Sequence, residues 1–281
     1  MRQNQLFRLI AQNVKLPKIK GLCSYLLTKK EDKVNKLFGK YTLNINIALG
    51  SLQKELFING DNFGKDVQKA VQARLQPGMV ALDIGANVGF FTIMMADIVG
   101  QSGKIFSFEP IPENYSLLKK NVEENKFSSV TTYKKAISNT NGVAKITKNP
   151  INDGGHSLGN LSENPDLSGQ DIKKLQIDIE TITLDSFIEE NNIGKVDFIK
   201  MDVEGAEHLV LKGGKKLLSR SDAPVIVCEL MERAQKQFGY SAKKLYYDFT
   251  ALGYKCFSLE SNFPQLSEQD IRSHENVFFK K

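Results

Sequence analysis

Four residues in this chain have the types and spacing to hold a nucleotide-like ligand: Asp83, Gly85, Gly89 and Glu109. They lie in Val80-Ala-Leu-Asp83-Ile-Gly85-Ala86-Asn87-Val-Gly89-Phe90-Phe91 and in Lys104-Ile-Phe-Ser-Phe108-Glu109-Pro110. Neither glycine carries a Cβ, so the backbone can turn sharply and approach a ligand closely. The dinucleotide fingerprint places three glycines around a pyrophosphate. Here there are two, and the carboxylate of Asp83 would repel a pyrophosphate. The pattern suits a ligand with an ammonium, a ribose and no phosphate, and S-adenosylmethionine is such a ligand. Glu109 stands twenty positions beyond Gly89, the spacing of an acid that accepts hydrogen bonds from two ribose hydroxyls. The bland alternative is a plain α/β sheet with a glycine turn and a solvated Glu109.

Methyl transfer from a sulfonium needs the attacking oxygen, the methyl carbon and the sulfur held in line. A base that removes the hydroxyl proton helps. Asp202, Glu204 and Glu229 each follow or end an apolar run, where open α/β sheets place their ligands. Asp202 is the first candidate for the base, against the alternative that it caps a helix starting near Gly205. Glu204 is a second candidate, although Glu204 and Glu207 could instead orient the turn. His156 is a third, if the loop that carries it folds over the site. His208 is expected on a helix surface. No metal is expected, although three carboxylates could in principle suit Mg²⁺.

Two segments carry a family resemblance. Val196-Asp-Phe-Ile-Lys200-Met-Asp202-Val-Glu204-Gly205-Ala-Glu207, followed by Val210-Leu-Lys-Gly213, resembles the FkbM signature, as does Thr181-Ile-Thr-Leu-Asp185. With the motif from Asp83 to Gly89, the chain resembles class I methyltransferases that use S-adenosylmethionine. The similarity runs from about Tyr41 to about Tyr254 and leaves the first forty residues outside it. The resemblance implies methylation of a hydroxyl on a sugar, glycan or other secondary metabolite. On this reading the cofactor site comprises Asp83, Gly85, Ala86, Asn87, Gly89, Phe90, Glu109, Pro110, Ala136 and Asp202.

The elements that must position these residues alternate along the chain. A buried strand ends at Ile84, and an apolar helix runs from the glycine turn to Gly100. A second strand ends before Glu109, and Pro112 opens a helix with Tyr115, Leu118 and Val122 at the helical period. Residues 130–137 read as a third strand and 143–147 as an extra one. Further strands are expected at 175–182, 196–201 and 224–228, with an antiparallel pair at 254–259 and 276–279. This predicts one doubly wound, mostly parallel seven-stranded α/β sheet, Rossmann-like, over residues 41–281. Residues 149–170 form a long Gly-, Pro- and Asn-rich stretch, equally readable as an acceptor-site lid or a surface insertion.

The net charge of +6 over 281 residues is unevenly placed. Residues 1–40 hold ten Lys and Arg against Glu31 and Asp32, a net of +8, which leaves −2 for the other 241 residues. A near-neutral body disfavours a nucleic-acid partner. The first forty residues read as a basic helical arm, packed on the domain or lying on an anionic membrane surface. No signal peptide is expected, and three dispersed cysteines fit a cytoplasmic protein, with peripheral contact at the inner face of the membrane as an extension. Rival readings are an RNA ribose methyltransferase, a non-catalytic module on the same scaffold, and a nicotinamide dehydrogenase that lacks the third glycine. A nucleobase amino-methyltransferase would need a proline-aromatic wall where the chain reads Met201-Asp202-Val203-Glu204.

Overall fold

A computed structural model describes residues 32–37, 39–159, 161, 167, 169–271 and 276–281, with backbone alone at 32–36. The chain begins with a hairpin, β1 (Asp32–Leu37) against β2 (Tyr41–Ile45), followed by α1 (Ser51–Asn59) and α2 (Lys65–Arg74). Next come β3 (Val80–Ile84), α3 (Phe90–Val99), β4 (Lys104–Phe108), α4 (Pro112–Glu124), β5 (Val130–Tyr133), β6 (Ala136–Ser138) and β7 (Gly142–Thr147). The remainder is β8 (Gln176–Thr183), α5 (Leu184–Glu190), β9 (Phe198–Met201), α6 (Glu207–Gly213), α7 (Lys215–Ser219), β10 (Val225–Glu229), α8 (Glu232–Lys236), α9 (Ala242–Ala251), β11 (Lys255–Ser258) and β12 (Asn276–Lys280).

The seven-stranded sheet has the order β11-β12-β10-β9-β3-β4-β5, and β12 pairs antiparallel with both its neighbours. The central strands are apolar because helices cover both faces, as parallel sheets require. Leu82, Phe106, Phe108, Ile199, Ile226 and Cys228 pack on one side against α5, α6 and α9. Ala81, Ile105, Phe198 and Val227 pack on the other against α1, α2 and α3. This second face carries a polar row, because Asp83, Ser107 and Lys200 share one register across β4, β3 and β9.

Two expectations change. The run 130–137 is two strands: β5 closes the main sheet, and β6 joins a separate sheet in the order β6-β8-β7. Lys134 and Lys135, exposed or nearly so, make the break. The arm is not helical at 32–37, where it pairs as β1 with β2; residues 1–31 lie outside the described residues. The hairpin is fastened through fully buried Asn121 on α4. Its side chain accepts from Asn44 N at 2.6 Å and donates to Asn44 O and Val88 O. Among the described residues, no helix is long and apolar enough to cross a membrane.

Candidate active site

The glycine turn is shaped by chain packing. Gly85 has φ 82°, and a Cβ there would lie 1.8 Å from Asp202 O, so the chain leaving β9 passes where a side chain would be. Gly85 N and Ala86 N both donate to Phe108 O, which ties the turn to β4. Gly89 has φ 91° and starts α3; a Cβ there would meet the Leu118 side chain at 2.7 Å. At both glycines the space a Cβ would fill is taken by neighbouring chain, and Gly85 also lines the cavity beside the turn. Neither Gly89 nor Asp83 lines the cavity beside the turn.

Asp83 is fully buried. Its Oδ2 accepts from Thr92 Oγ1 at 2.6 Å, and its Oδ1 stands 3.7 Å from Lys200 Nζ. The ammonium it meets is thus the protein's own, brought there by the β3–β9 register. Burial pushes the Asp83 carboxyl up, and the Lys200 charge opposes this. Lys200 also donates to Gly85 O at 3.2 Å and to Asp202 Oδ2 at 3.3 Å. Burial works against its charge, but Asp202 and Asp83 outweigh that and hold its pKa above the usual value.

The cavity has a volume of about 270 Å³, just below the ~300–1,000 Å³ range of small-molecule sites. Its wall includes Gly85, Ala86, Asn87, Phe90, Glu109, Pro110, Ala136 and Asp202 from the expected set, and His156 and Glu204 as well. At one end Glu109 accepts from Asn87 N and Ile111 N, each at 2.9 Å and each on a different oxygen. Burial raises its pKa from 4.5 to about 7 against the pull of those two amides.

At the other end stand Asp202, Glu204 and Glu229. Asp202 does not cap α6, which begins at Glu207; the turn amides of Val203 and Gly205 donate to the Glu207 carboxylate instead. The Asp202 side chain is 43% exposed and paired with Lys200. Glu204 sits at φ 53°, uncommon for a side-chain-bearing residue. Burial, then the charges of Asp202 and Glu207, pushes its carboxyl to about 8. Glu229 is raised well above the carboxylate range, mainly by burial.

His156 accepts from Asn149 N through Nδ1 at 2.9 Å. An amide can only donate, so the neutral ring carries its proton on Nε2 and has no free lone pair to act as a base. Burial lowers its pKa to about 4. His208 is buried, against the surface expectation: its Nδ1 lies 3.1 Å from Gly205 O, and its ring stacks on Tyr240 at 4.3 Å. The described part of the long loop docks on the site. Asp153 Oδ1 accepts from Leu52 N and Gln53 N at the start of α1, and Asp153 O accepts from Asn87 Nδ2. Residues 160, 162–166 and 168 of that loop lie outside the described residues.

Residues 83–256 match the family model described as the methyltransferase FkbM domain, more than half of the chain. The chain belongs to the FkbM methyltransferase family. It is 29% identical over 143 residues to "Methyltransferase 1" of Beauveria bassiana, 47% of this chain and 57% of that protein. It is 26% identical over 159 residues to "31-O-demethyl-FK506 methyltransferase FkbM" of Streptomyces tacrolimicus, 50% and 60% of the two chains. It is 30% identical over 154 residues to "2-O-methyltransferase NoeI" of Sinorhizobium fredii, 52% and 61%. The matched region spans about three-fifths of the length of these curated relatives.

The FkbM site fits S-adenosylmethionine. Each Glu109 oxygen has one amide partner and keeps a second lone pair for a ribose hydroxyl. Among the described residues that line that end, the one basic residue is Lys135, which pairs with Glu180. Sequence reasoning missed Lys200 as a site residue, although it lies within the signature. It also missed Phe91, Asn114 and Asp153, and the wall supplied by Leu52, Leu56 and Phe63. Lys200 carried a signal, a lysine in an otherwise apolar strand. Asp153 carried none, because its partners lie 39 to 101 residues away.

Proposed function

We propose that this domain transfers the methyl group of S-adenosylmethionine to a hydroxyl of a sugar, glycan or secondary metabolite. The observation that carries this reading is the order of groups across the strand ends in one cavity. Glu109 follows β4, the glycine turn follows β3, Asp202 follows β9 and Glu229 ends β10. Strands lie ~4.8 Å apart, so Glu109 and Asp202 are about two strand spacings apart. That separates a ribose-holding end from a reacting end. The cofactor, when bound, supplies an electrophilic methyl on a sulfonium.

Asp202 would take the proton that the acceptor hydroxyl gives up on methylation. Lys200 holds the Asp202 carboxylate in place, and Glu207 holds the turn that carries it. Leu52, Leu56, Phe63 and Phe91 exclude water, which would compete for the methyl. The hydroxyl as acceptor is supported by the printed names of relatives, among them a 2-O-methyltransferase and a 31-O-demethyl-FK506 methyltransferase. The acidic reacting end also suits an uncharged acceptor better than a nucleic acid.

Two measurements test the proposal. Calorimetry should show micromolar binding of S-adenosylhomocysteine, about −8 kcal/mol, with none of comparable strength for NAD. Labelled methyl should pass from S-adenosylmethionine to hydroxylated glycosides. Binding of NAD without S-adenosylhomocysteine would overturn the reading, and transfer to nitrogen acceptors alone would overturn its O-methyl part.

A further inference from the structure

We propose that Asn114 is a further cofactor contact, its Oδ1 accepting a hydrogen from an N–H or O–H donor of the cofactor's nucleoside. This rests on the cofactor reading above and adds a residue outside the expected set. Asn114 lies in the first turn of α4, five residues beyond Glu109, and lines the cavity. It is 1% exposed. Its Nδ2 donates to Asp153 O at 3.2 Å. A carbonyl oxygen can only accept, so the amide nitrogen must face Asp153 and the orientation of the side chain is fixed. Oδ1 is left facing the other way, buried and without a hydrogen-bond partner.

A buried carbonyl oxygen without a donor costs free energy, and native structures rarely leave one. Two backbone donors at this end, Asn87 N and Ile111 N, both serve Glu109. Asn87 Nδ2 is spent on the same Asp153 carbonyl, at 3.0 Å. Glu109 and Asn114 Oδ1 both offer acceptor capacity to a ligand. That is the complement of a ligand rich in donors. The nucleoside of S-adenosylmethionine offers two ribose hydroxyls and an adenine amino group. Glu109 has room for one or both hydroxyls, and Asn114 adds an acceptor for a donor that Glu109 does not take.

The test is a coupling cycle between ligand and protein, read by calorimetry on the full chain. The probes are S-adenosylhomocysteine, its 2′-deoxy and 3′-deoxy analogues, and S-inosylhomocysteine, which lacks the amino group. The proteins are the wild type, Asn114→Ala, Asn114→Ser and Asn114→Asp. In the wild type, the analogue that lacks Asn114's donor should bind about tenfold more weakly than S-adenosylhomocysteine, beside whatever the deoxy analogues lose at Glu109. That penalty should shrink to about twofold or less in Asn114→Ala or Asn114→Ser, whichever melts as a folded protein. It should persist in Asn114→Asp, which keeps an acceptor oxygen. The analogue concerned identifies the donor as a ribose hydroxyl or the amino group. Penalties that are unchanged by all three substitutions would overturn the proposal and leave Asn114 as a support for Asp153. Failure of the wild type to bind S-adenosylhomocysteine at all would overturn the cofactor reading and this inference with it.

Discussion

Lys200 Nζ stands 3.7 Å from Asp83 Oδ1, and both side chains are buried between β3, β9 and α3. The pair joins the two sequence motifs of the site, since Lys200 also reaches Gly85 O and Asp202 Oδ2. Breaking such a pair from one side leaves an uncompensated buried charge, at a cost of ~3–5 kcal/mol. Lys200→Met should therefore lose about that much stability in urea unfolding. The loss should be smaller at acid pH, where Asp83 can take a proton. An equal loss at pH 5 and pH 8 would show that lost packing, and not the stranded carboxylate, is the cause.

Asp202 separates a base from a structural acid. It caps no helix here, so asparagine cannot replace it by serving the same structural role. Asp202→Asn should lower turnover by ~10²–10⁴-fold and change S-adenosylhomocysteine affinity far less. Near-normal turnover on an identified acceptor would move the base role to Glu204. His156 would not inherit it, because its Nδ1 is already engaged.

Glu109 links pH to both stability and binding. Its carboxyl is pushed by burial from 4.5 up to about 7. Between those values the folded protein holds a proton that the unfolded chain has released. Its stabilising contribution is complete below pH 4.5 and is lost as pH rises through about 7. Glu207 at about 7 and Glu204 at about 8 act in the same direction. The urea midpoint should fall between pH 5 and pH 8 and flatten over the lower part of that window in Glu109→Gln.

Cofactor affinity should follow the opposite course. The ionised Glu109 is the better acceptor for ribose hydroxyls, so S-adenosylhomocysteine should bind about tenfold more tightly at pH 8 than at pH 6. Glu109→Ala should weaken binding by ~1.5–3 kcal/mol at pH 8. An affinity that is flat with pH in the wild type would remove Glu109 from ribose recognition.

Gly85 and Gly89 both have positive φ, yet they should not respond alike. A Cβ at Gly85 meets the Asp202 backbone, which cannot move without β9; at Gly89 it meets the end of the Leu118 side chain. Gly85→Ala should cost more than the ~1–2 kcal/mol of the backbone conformation alone, and Gly89→Ala should stay nearer that range. Equal costs in chemical denaturation would show that the glycine turn relaxes freely around Asp202.

Local spacing along the chain carried the strand, turn and helix around Asp83 to Gly89, the position of Glu109 and the alternation of a doubly wound sheet. These follow from short-range rules: apolar runs make buried strands, and glycine permits the turn between a strand and a helix. The same rules could not say that Asp83 would face Lys200 across 117 positions, because the strand register is set by the sheet as a whole. They merged β5 with β6, since period alone does not show where a strand leaves one sheet for another. Nor could they place Asp153, which has no apolar pattern of its own and finds its partners only when α1, α4 and the glycine turn come together. Pairing over long sequence distance decided which acids are buried and which face the cavity, and burial then set their protonation. The chemistry of the site depends on that last step.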